Sequence, residues 1–121
     1  MRVLIADDEL RLRKVVALHL KKSGLDVIEV SNGRQAIEKA KECKPDVIVL
    51  DVMMPEMNGL EALSHIKSDN MLKNIPVIML SAKATGEDIE KGMALGAACY
   101  LTKPFSPKQL LDEINKLGVK L

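Results

Sequence analysis

The sequence predicts a doubly wound α/β domain, in which a parallel five-stranded sheet is covered by helices on both faces. Five short aliphatic runs alternate with five segments of helical periodicity along the chain. The aliphatic runs are continuous rather than interrupted by polar residues, which is typical of strands buried on both faces. Right-handed crossovers between such strands give a (βα)5 order. Because the chain has 121 residues, we expect a single domain that spans 1–121.

The predicted strands are short aliphatic segments separated by turns and helices. In chain order they occupy 3–6, 27–30, 47–50, 77–80 and, with a weaker pattern, 98–101. The core between the sheet and the helices must also be aliphatic, because the chain has one Phe, one Tyr and no Trp.

Each predicted helix has apolar residues on one face, and several have a recognisable boundary. Gly24 would end the first helix, and Asn58 with Glu61 forms an N-cap and acidic N3 pair at the third. Ser106 and Pro107 supply an N-cap and a first helical residue for the fifth. The predicted apolar faces are Leu12, Val15, Val16 and Leu20; Ala36, Ile37 and Ala40; Leu60, Leu63 and Ile66; Ile89 and Met93; and Leu110, Leu111, Ile114 and Leu117.

The composition is that of a globular protein with balanced charge. The net charge of +1 argues against a general nucleic-acid surface, which requires a clustered basic excess. Cys43 and Cys99 lack the spacing of a zinc site and are expected to be free thiols. The chain enters a strand pattern without a leader segment, and no apolar run is long enough to span a membrane. We therefore expect a cytoplasmic protein.

Charged or hydroxyl side chains follow four of the five predicted strands. Asp7 and Asp8 follow the first strand, and Asp51 follows the third. Ser81 follows the fourth strand and Lys103 the fifth. Ligands of open α/β sheets bind beyond the carboxyl ends of the strands, so these residues are expected at one edge. Any one of them alone could be a helix cap or a turn residue, but the set predicts a functional site.

The residue types in this set favour a divalent metal ion beside a phosphoryl group. Crowded carboxylates raise one another's pKa unless a cation lies among them. Oxygen ligands without nearby His or Cys favour a hard ion, and Mg²⁺ fits because it keeps several waters and bridges to phosphate. Lys103 adds an ammonium group and Ser81 a hydroxyl donor. Asp51 would then be a nucleophile that forms an aspartyl phosphate.

These residues lie in motifs that resemble the receiver domain of two-component response regulators over almost the whole chain. The motifs are Asp7-Asp8, the segment DVMMPEMNG from Asp51, Ser81-Ala82, and the segment GAACYLTKPF that contains Lys103. All four have the order and spacing of that family. The resemblance implies a flavodoxin-like sandwich with strand order 2-1-3-4-5. It also implies a cis peptide bond before Pro104.

The resemblance further implies that Asp51 accepts a phosphoryl group from a sensor histidine kinase or a histidine phosphotransfer protein. Lys103 and Ser81 would contact the phosphoryl oxygens. Asp8 would bind Mg²⁺ directly beside Asp51, Asp7 would act mainly through water, and the Met53 backbone carbonyl would be a further ligand. The chain would not be an enzyme beyond catalysing its own phosphoryl transfer and dephosphorylation.

In the same family, an aromatic switch residue corresponds to Tyr100. It would turn inward as Ser81 moves toward the phosphate, and so change the face formed by helix 4, strand 5 and helix 5. That face would dock a downstream effector or a second copy of the chain, without contact to nucleic acid or membrane. Met53 and Lys83 occupy the family's two variable positions beside the phosphate. Neither can position an attacking water, so we expect slow self-dephosphorylation.

Three alternatives remain open at this stage. The chain could be the receiver part of a longer DNA-binding regulator. It could be an Asp-nucleophile phosphatase of the haloacid dehalogenase type, but that family has a second Asp where this chain has Met53. It could be a flavodoxin-like FMN-binding module, although acidic residues follow the first strand where a phosphate-cradling loop would be needed.

Overall fold

In a computed structural model, which describes residues 1–82 and 85–118, five strands alternate with five helices. The strands are β1 (Arg2–Ala6), β2 (Asp26–Val30), β3 (Val47–Asp51), β4 (Val77–Ser81) and β5 (Cys99–Thr102). The helices are α1 (Leu10–Lys22), α2 (Gly33–Cys43), α3 (Gly59–Ser68), α4 (Gly86–Ala94) and α5 (Pro107–Gly118). The alternation predicted from the aliphatic runs is confirmed.

The five strands form one parallel sheet in the order β2-β1-β3-β4-β5, as the family resemblance implied. The register aligns the carboxyl ends of the inner strands, because Ala6 pairs with Leu50 and Asp51 pairs with Leu80. Ser81 in turn pairs with Thr102. The residues that end these strands therefore share one edge of the sheet, which we call the carboxyl edge.

Two aliphatic clusters fill the spaces on either side of the sheet. One face packs against α1 and α5 and includes Val16, Leu20, Leu110 and Ile114. The other packs against α2 and α3 and includes mainly alanine, leucine and isoleucine side chains. Every residue of β3 is buried, which explains the unbroken aliphatic run that precedes Asp51. Burial on both faces makes β3 a rigid support for the residue at its end.

The predicted apolar faces of two helices need correction. Val15 of α1 is 50% exposed, and the half-buried Arg13 shares the inner face with Val16 and Leu20 instead. The helix is turned so that Arg13 can form polar contacts with β2 and the β1–α1 loop. In α4, Met93 is 45% exposed and Gly92 is buried against the ring of Tyr100. The remaining predicted faces pack inward.

The predicted helix starts are confirmed at α3 and α5. The Asn58 side chain accepts a hydrogen bond from the Glu61 N–H at 2.9 Å. Ser106 caps α5 through the Gln109 N–H at 3.1 Å, and the Gln109 side chain returns a bond to the Ser106 N–H at 2.8 Å. Such reciprocal caps satisfy backbone donors that the first turn of a helix leaves unpaired.

The two cysteines, Cys43 and Cys99, are free thiols, as expected. Burial, with the neighbouring carboxylate of Glu113, raises the pKa of Cys99 to about 11, so it is an unreactive thiol.

No helix within the described ranges combines the length and the apolar character that crossing a membrane would demand.

Candidate functional site

Three carboxylates meet at the carboxyl edge of the sheet. Oxygen atoms of Asp7, Asp8 and Asp51 all lie within 4.8 Å of one another. Asp7 is fully buried and Asp51 is 4% exposed, whereas Asp8 is exposed. Asp7 and Asp8 extend from the end of β1, and Asp51 is the last residue of the adjacent β3. The sheet order thus brings together acids that are 44 positions apart in the sequence, the separation between Asp7 and Asp51.

Lys103 reaches this cluster from the segment after β5. Its Nζ donates to Asp51 Oδ2 at 3.1 Å and to Asp7 Oδ2 at 3.3 Å. The peptide bond between Lys103 and Pro104 is cis, as the family resemblance implied. One ammonium group thus faces three carboxylates, which leaves a net negative charge in a largely buried place.

The electrostatic imbalance is expressed in the pKa of Asp51. Burial, and after it the neighbouring Asp7 carboxylate, outweigh the opposing effects of Lys103 and the Met53 N–H, so the net result is a pKa raised from 3.8 to about 6. For Lys103, burial lowers the pKa, but the hydrogen bonds and charges of Asp51 and Asp7 outweigh this and the net shift is upward. The site therefore favours a charged Lys103 and destabilises the ionised Asp51.

The donor set fits a hard divalent cation. All three acids offer oxygen, and no His or Cys joins the cluster within the described part of the chain. A divalent charge would offset the excess of two negative charges that remains beside Lys103. Oxygen-only sites with several carboxylates are typical of Mg²⁺ and Ca²⁺ rather than of Zn²⁺.

The loop between β3 and α3 is held close to the acidic cluster by two glycines. The Gly59 N–H donates to the Val52 carbonyl at 2.9 Å, and the Gly33 N–H donates to the Met57 carbonyl at 3.1 Å. A Cβ atom at Gly59 would collide with the Asp51 backbone, and one at Gly33 would collide with Met57. Close backbone approach therefore requires glycine at both positions.

The tip of this loop is a tight turn. Glu56 has a φ of 65°, and the Met57 N–H donates to the Pro55 carbonyl at 2.7 Å. A three-residue turn with positive φ at a non-glycine residue is strained, and such strain concentrates at functional sites. Met53, in the first part of the loop, is 67% exposed.

Ser81 and Tyr100 lie beside the cluster on the β4–β5 side. Ser81 is 3% exposed, and its backbone carbonyl accepts from the Lys103 N–H at 2.7 Å. Tyr100 is half-buried, and its ring lies over Gly92 of α4. Among the described residues, Ser81 and Tyr100 line a cavity of about 180 Å³ together with Val52, Met53, Leu60 and Asp88. The predicted site residues are thus brought to one place, except that Lys83 lies outside the described residues.

One pair of residues at this edge was missed by the sequence analysis. Arg13 Nη1 donates to the Asp7 backbone carbonyl at 2.7 Å, and its Nε donates to Glu29 Oε1 at 3.2 Å. The available signal was the spacing, because Arg13 lies three, four and seven residues before the buried Val16, Ala17 and Leu20. An arginine on the buried face of a helix requires a polar partner there.

Residues 3–115 of the chain match the family model described as "Response regulator receiver domain". The chain belongs to this family. This match disfavours the two alternatives of a dehalogenase-type phosphatase and a flavodoxin-like FMN-binding module.

Curated relatives of this receiver domain include two longer transcriptional regulatory proteins. The phosphate regulon transcriptional regulatory protein PhoB of Escherichia coli is 38% identical over 94% of this chain and 50% of its own length. The alkaline phosphatase synthesis transcriptional regulatory protein PhoP of Bacillus subtilis is 40% identical over 96% of this chain and 48% of its own length. The chain therefore spans about half the length of the curated relatives it matches.

Solved structures resemble this receiver domain over nearly all of their length. A Francisella response regulator receiver domain has a TM-score of 0.91 at 34% identity, covering 96% of this chain and 94% of that chain. The Vibrio cholerae chemotaxis response regulator CheY4 has a TM-score of 0.90 at 34% identity, covering 96% and 97%. The receiver fold predicted from the motifs is confirmed.

Proposed function

We propose that this receiver domain accepts a phosphoryl group on Asp51 and converts the modification into a change of its surface. The observation that supports the proposal is the meeting of Asp51 with Asp7, Asp8 and Lys103 at the carboxyl edge. Asp51 is the acid at the end of the fully buried β3, and its raised pKa reflects its burial and the neighbouring Asp7 carboxylate. Perturbed carboxylates in such surroundings are typical of functional sites.

In the proposed reaction, an Asp51 carboxylate oxygen attacks phosphorus and forms an O–P bond as the P–N bond of a donor phosphohistidine breaks. The bonding pair of the P–N bond stays on the imidazole nitrogen, which takes a proton from solvent, so the donor histidine is released in its neutral form. Lys103 is within reach of Asp51 Oδ2 and would pair with a phosphoryl oxygen. Its charge stabilises the spreading negative charge of the transferring group.

Asp7, Asp8, Asp51 and the Met53 carbonyl are the residues that would hold Mg²⁺. When bound, Mg²⁺ would neutralise negative charge on the phosphoryl oxygens and on the carboxylates around them. The fully buried Asp7 is held by Lys103 and by the Glu9 N–H, whereas Asp8 is exposed. This division suits Asp8 as a direct ligand and Asp7 as an acid that acts mainly through water.

The signal would pass through Ser81 and Tyr100. Both line the same cavity, so a movement of Ser81 toward the phosphate would open space that the Tyr100 ring can fill. Moving a two-state equilibrium from 1:99 to 99:1 requires about 5.5 kcal/mol of differential binding. Hydrogen bonds to charged groups contribute roughly 1.5–3 kcal/mol each, so two or three contacts made only to the phosphoryl group suffice.

The proposed partners are a sensor histidine kinase or a histidine phosphotransfer protein, and a downstream effector or second copy that binds the α4–β5–α5 face. The proposed location is the cytoplasm. DNA binding is a property carried in the names of some longer relatives, and we propose none for this chain.

Because Met53 is apolar, we also propose slow self-dephosphorylation, with a phosphorylated lifetime well beyond seconds.

The central test is phosphorylation by acetyl phosphate in the presence of Mg²⁺, followed by intact mass spectrometry. We expect one added phosphoryl group on the wild type and none on Asp51→Asn. Asp46→Asn, at the opposite edge of the sheet, is the matched control and should be phosphorylated like the wild type. Incorporation into Asp51→Asn, or none into the wild type, would refute the assignment of Asp51.

A further inference from the structure

Arg13 connects helix α1 to the backbone of the acidic pair. Its Nη1 donates to the Asp7 carbonyl at 2.7 Å, which is among the short hydrogen bonds of the site. The arginine side chain is only 13% exposed, although it carries a permanent charge. A buried guanidinium directed at one carbonyl oxygen is costly unless its remaining donors are also used.

Glu29 of β2 pairs with a second nitrogen of the Arg13 guanidinium. Its Oε1 accepts from Arg13 Nε at 3.2 Å, and its Oε2 accepts from Lys14 Nζ at 3.2 Å. The Glu29 side chain is 14% exposed. The Glu29 carboxylate thus offsets the Arg13 charge and orients the planar guanidinium so that Nη1 points at the Asp7 carbonyl.

The bonded carbonyl belongs to the peptide unit that joins Asp7 to Asp8. A peptide unit is planar, so holding its oxygen restricts the direction in which the chain continues into Asp8. The Asp7 N–H donates to the Val30 carbonyl at 3.2 Å, and Asp7 Oδ1 accepts from the Glu9 N–H at 2.9 Å. Those two bonds hold the Asp7 N–H and side chain, whereas the Arg13 contact holds the carbonyl at the junction between the two acids.

We propose that Arg13 is a positioning residue that orients the Asp7–Asp8 peptide for cation binding. This inference rests on the proposed function, because it concerns the metal that the acidic pair would hold. Arg13 acts through the backbone and touches no reacting atom. Lysine could not replace it fully, because only the arginine fork can reach the Asp7 carbonyl and Glu29 at once.

The direction in which the Mg²⁺ affinity changes when Arg13 is replaced distinguishes a positioning role from a purely electrostatic one. Removing a positive charge beside carboxylates strengthens their attraction for a cation. Removing a group that orients the ligands weakens metal binding, typically by 10–100-fold for residues behind the ligands. Arg13→Met therefore tests two opposite expectations in one measurement.

The experiment is titration calorimetry with Mg²⁺ on the whole chain, together with urea unfolding in EDTA. We expect Arg13→Met to bind Mg²⁺ about 10-fold more weakly than the wild type, and Arg13→Lys to lie between the two. Arg2→Met is the matched control, because Arg2 Nη1 also donates to a backbone carbonyl, that of Cys43 at 2.9 Å, at the other edge of the sheet. It should leave Mg²⁺ affinity unchanged.

The outcomes are distinguishable. Unchanged or stronger Mg²⁺ binding by folded Arg13→Met overturns the inference while the proposed function stands. If that variant fails to fold, Arg13→Lys decides, and wild-type affinity in the lysine variant overturns the inference. A loss of stability in EDTA without a loss of metal affinity would assign Arg13 to structure alone. Absence of Mg²⁺ binding by the wild type would instead count against the metal site of the proposed function.

Discussion

The two edges of the sheet are built from the same strands but treat charge differently. At the amino edge, the Arg2 N–H donates to Asp46 Oδ2 at 2.7 Å and the Arg2 guanidinium donates to the Cys43 carbonyl, both on an exposed surface. At the carboxyl edge, three carboxylates face one ammonium group, and two of the acids are buried. Charges that satisfy each other stabilise the fold, whereas a buried excess of one sign leaves a site that needs a ligand.

The largest expected effect concerns how closely the backbone packs at the carboxyl edge. Gly59 and Gly86 are each the first residue of a helix, but only Gly59 lies against the backbone of Asp51 and Val52. Gly59→Ala should lower the free energy of unfolding by about 3 kcal/mol, because the new methyl group displaces the end of β3. Gly86→Ala, with open space around it, should change it by less than about 0.5 kcal/mol. Urea unfolding measures both, and equal effects would contradict the close packing.

An Asp→Asn substitution should change the free energy of unfolding in opposite directions at the two edges. The pKa of Asp51 rises from 3.8 to about 6 on folding, so between those values the folded state binds more protons than the unfolded state. The free energy of unfolding therefore falls as pH rises through this window, and at pH 7 the cost is complete, at most about 3 kcal/mol. Asp51→Asn should be more stable than the wild type at pH 7 by up to this amount.

Asp46→Asn should instead lose about 1 kcal/mol, because it weakens a hydrogen bond that the carboxylate accepts. Unfolding curves between pH 4 and pH 7 compare the two variants, and Asp51→Asn should also lose the pH dependence of the wild type across that window. Destabilisation by both substitutions would mean that the two edges do not differ in charge balance.

Addition of Mg²⁺ should stabilise the carboxyl edge selectively. At a concentration 100 times the dissociation constant, a ligand that binds only the folded state adds about 2.7 kcal/mol. The gain should be present at pH 7 and smaller at pH 5, because Asp51, with its pKa of about 6, becomes protonated. Thermal unfolding with Mg²⁺, and with Na⁺ at equal ionic strength, measures this gain. An equal gain at both pH values would indicate binding elsewhere.

The smallest expected effect concerns the switch. Ser81→Ala should leave Asp51 open to phosphorylation but remove one contact to the phosphoryl group, a loss of about 1.5 kcal/mol. The active population of the beryllofluoride-bound form should then fall about tenfold relative to the inactive one, as measured by NMR. Ser23→Ala is the control, because the Ser23 hydroxyl donates to the His19 carbonyl at 3.1 Å on an exposed surface before β2, away from the carboxyl edge. An unchanged population in Ser81→Ala would refute the role of Ser81.

Much of the fold was predictable because local sequence patterns, such as aliphatic runs and helix caps, indicate the strands and helices. The unbroken aliphatic run of β3 indicated burial on both faces, and Asn58 and Ser106 marked helix starts that the structure confirms. The strand ends also indicated which residues would gather, since parallel strands bring their carboxyl ends to one edge. Strand order came from the family resemblance, because hydrophobic periodicity carries no information about which strands are neighbours.

The sequence by itself determined the alternation of elements and the set of acids, hydroxyl and lysine at one edge. Only the tertiary structure decided that Lys103 contacts Asp7 across 96 positions, and that Arg13 rather than Val15 faces inward on α1. A polar partner on a neighbouring strand outweighs the apolar preference of a single helix position. Contacts between distant segments depend on how the elements pack, and a local pattern does not report that packing.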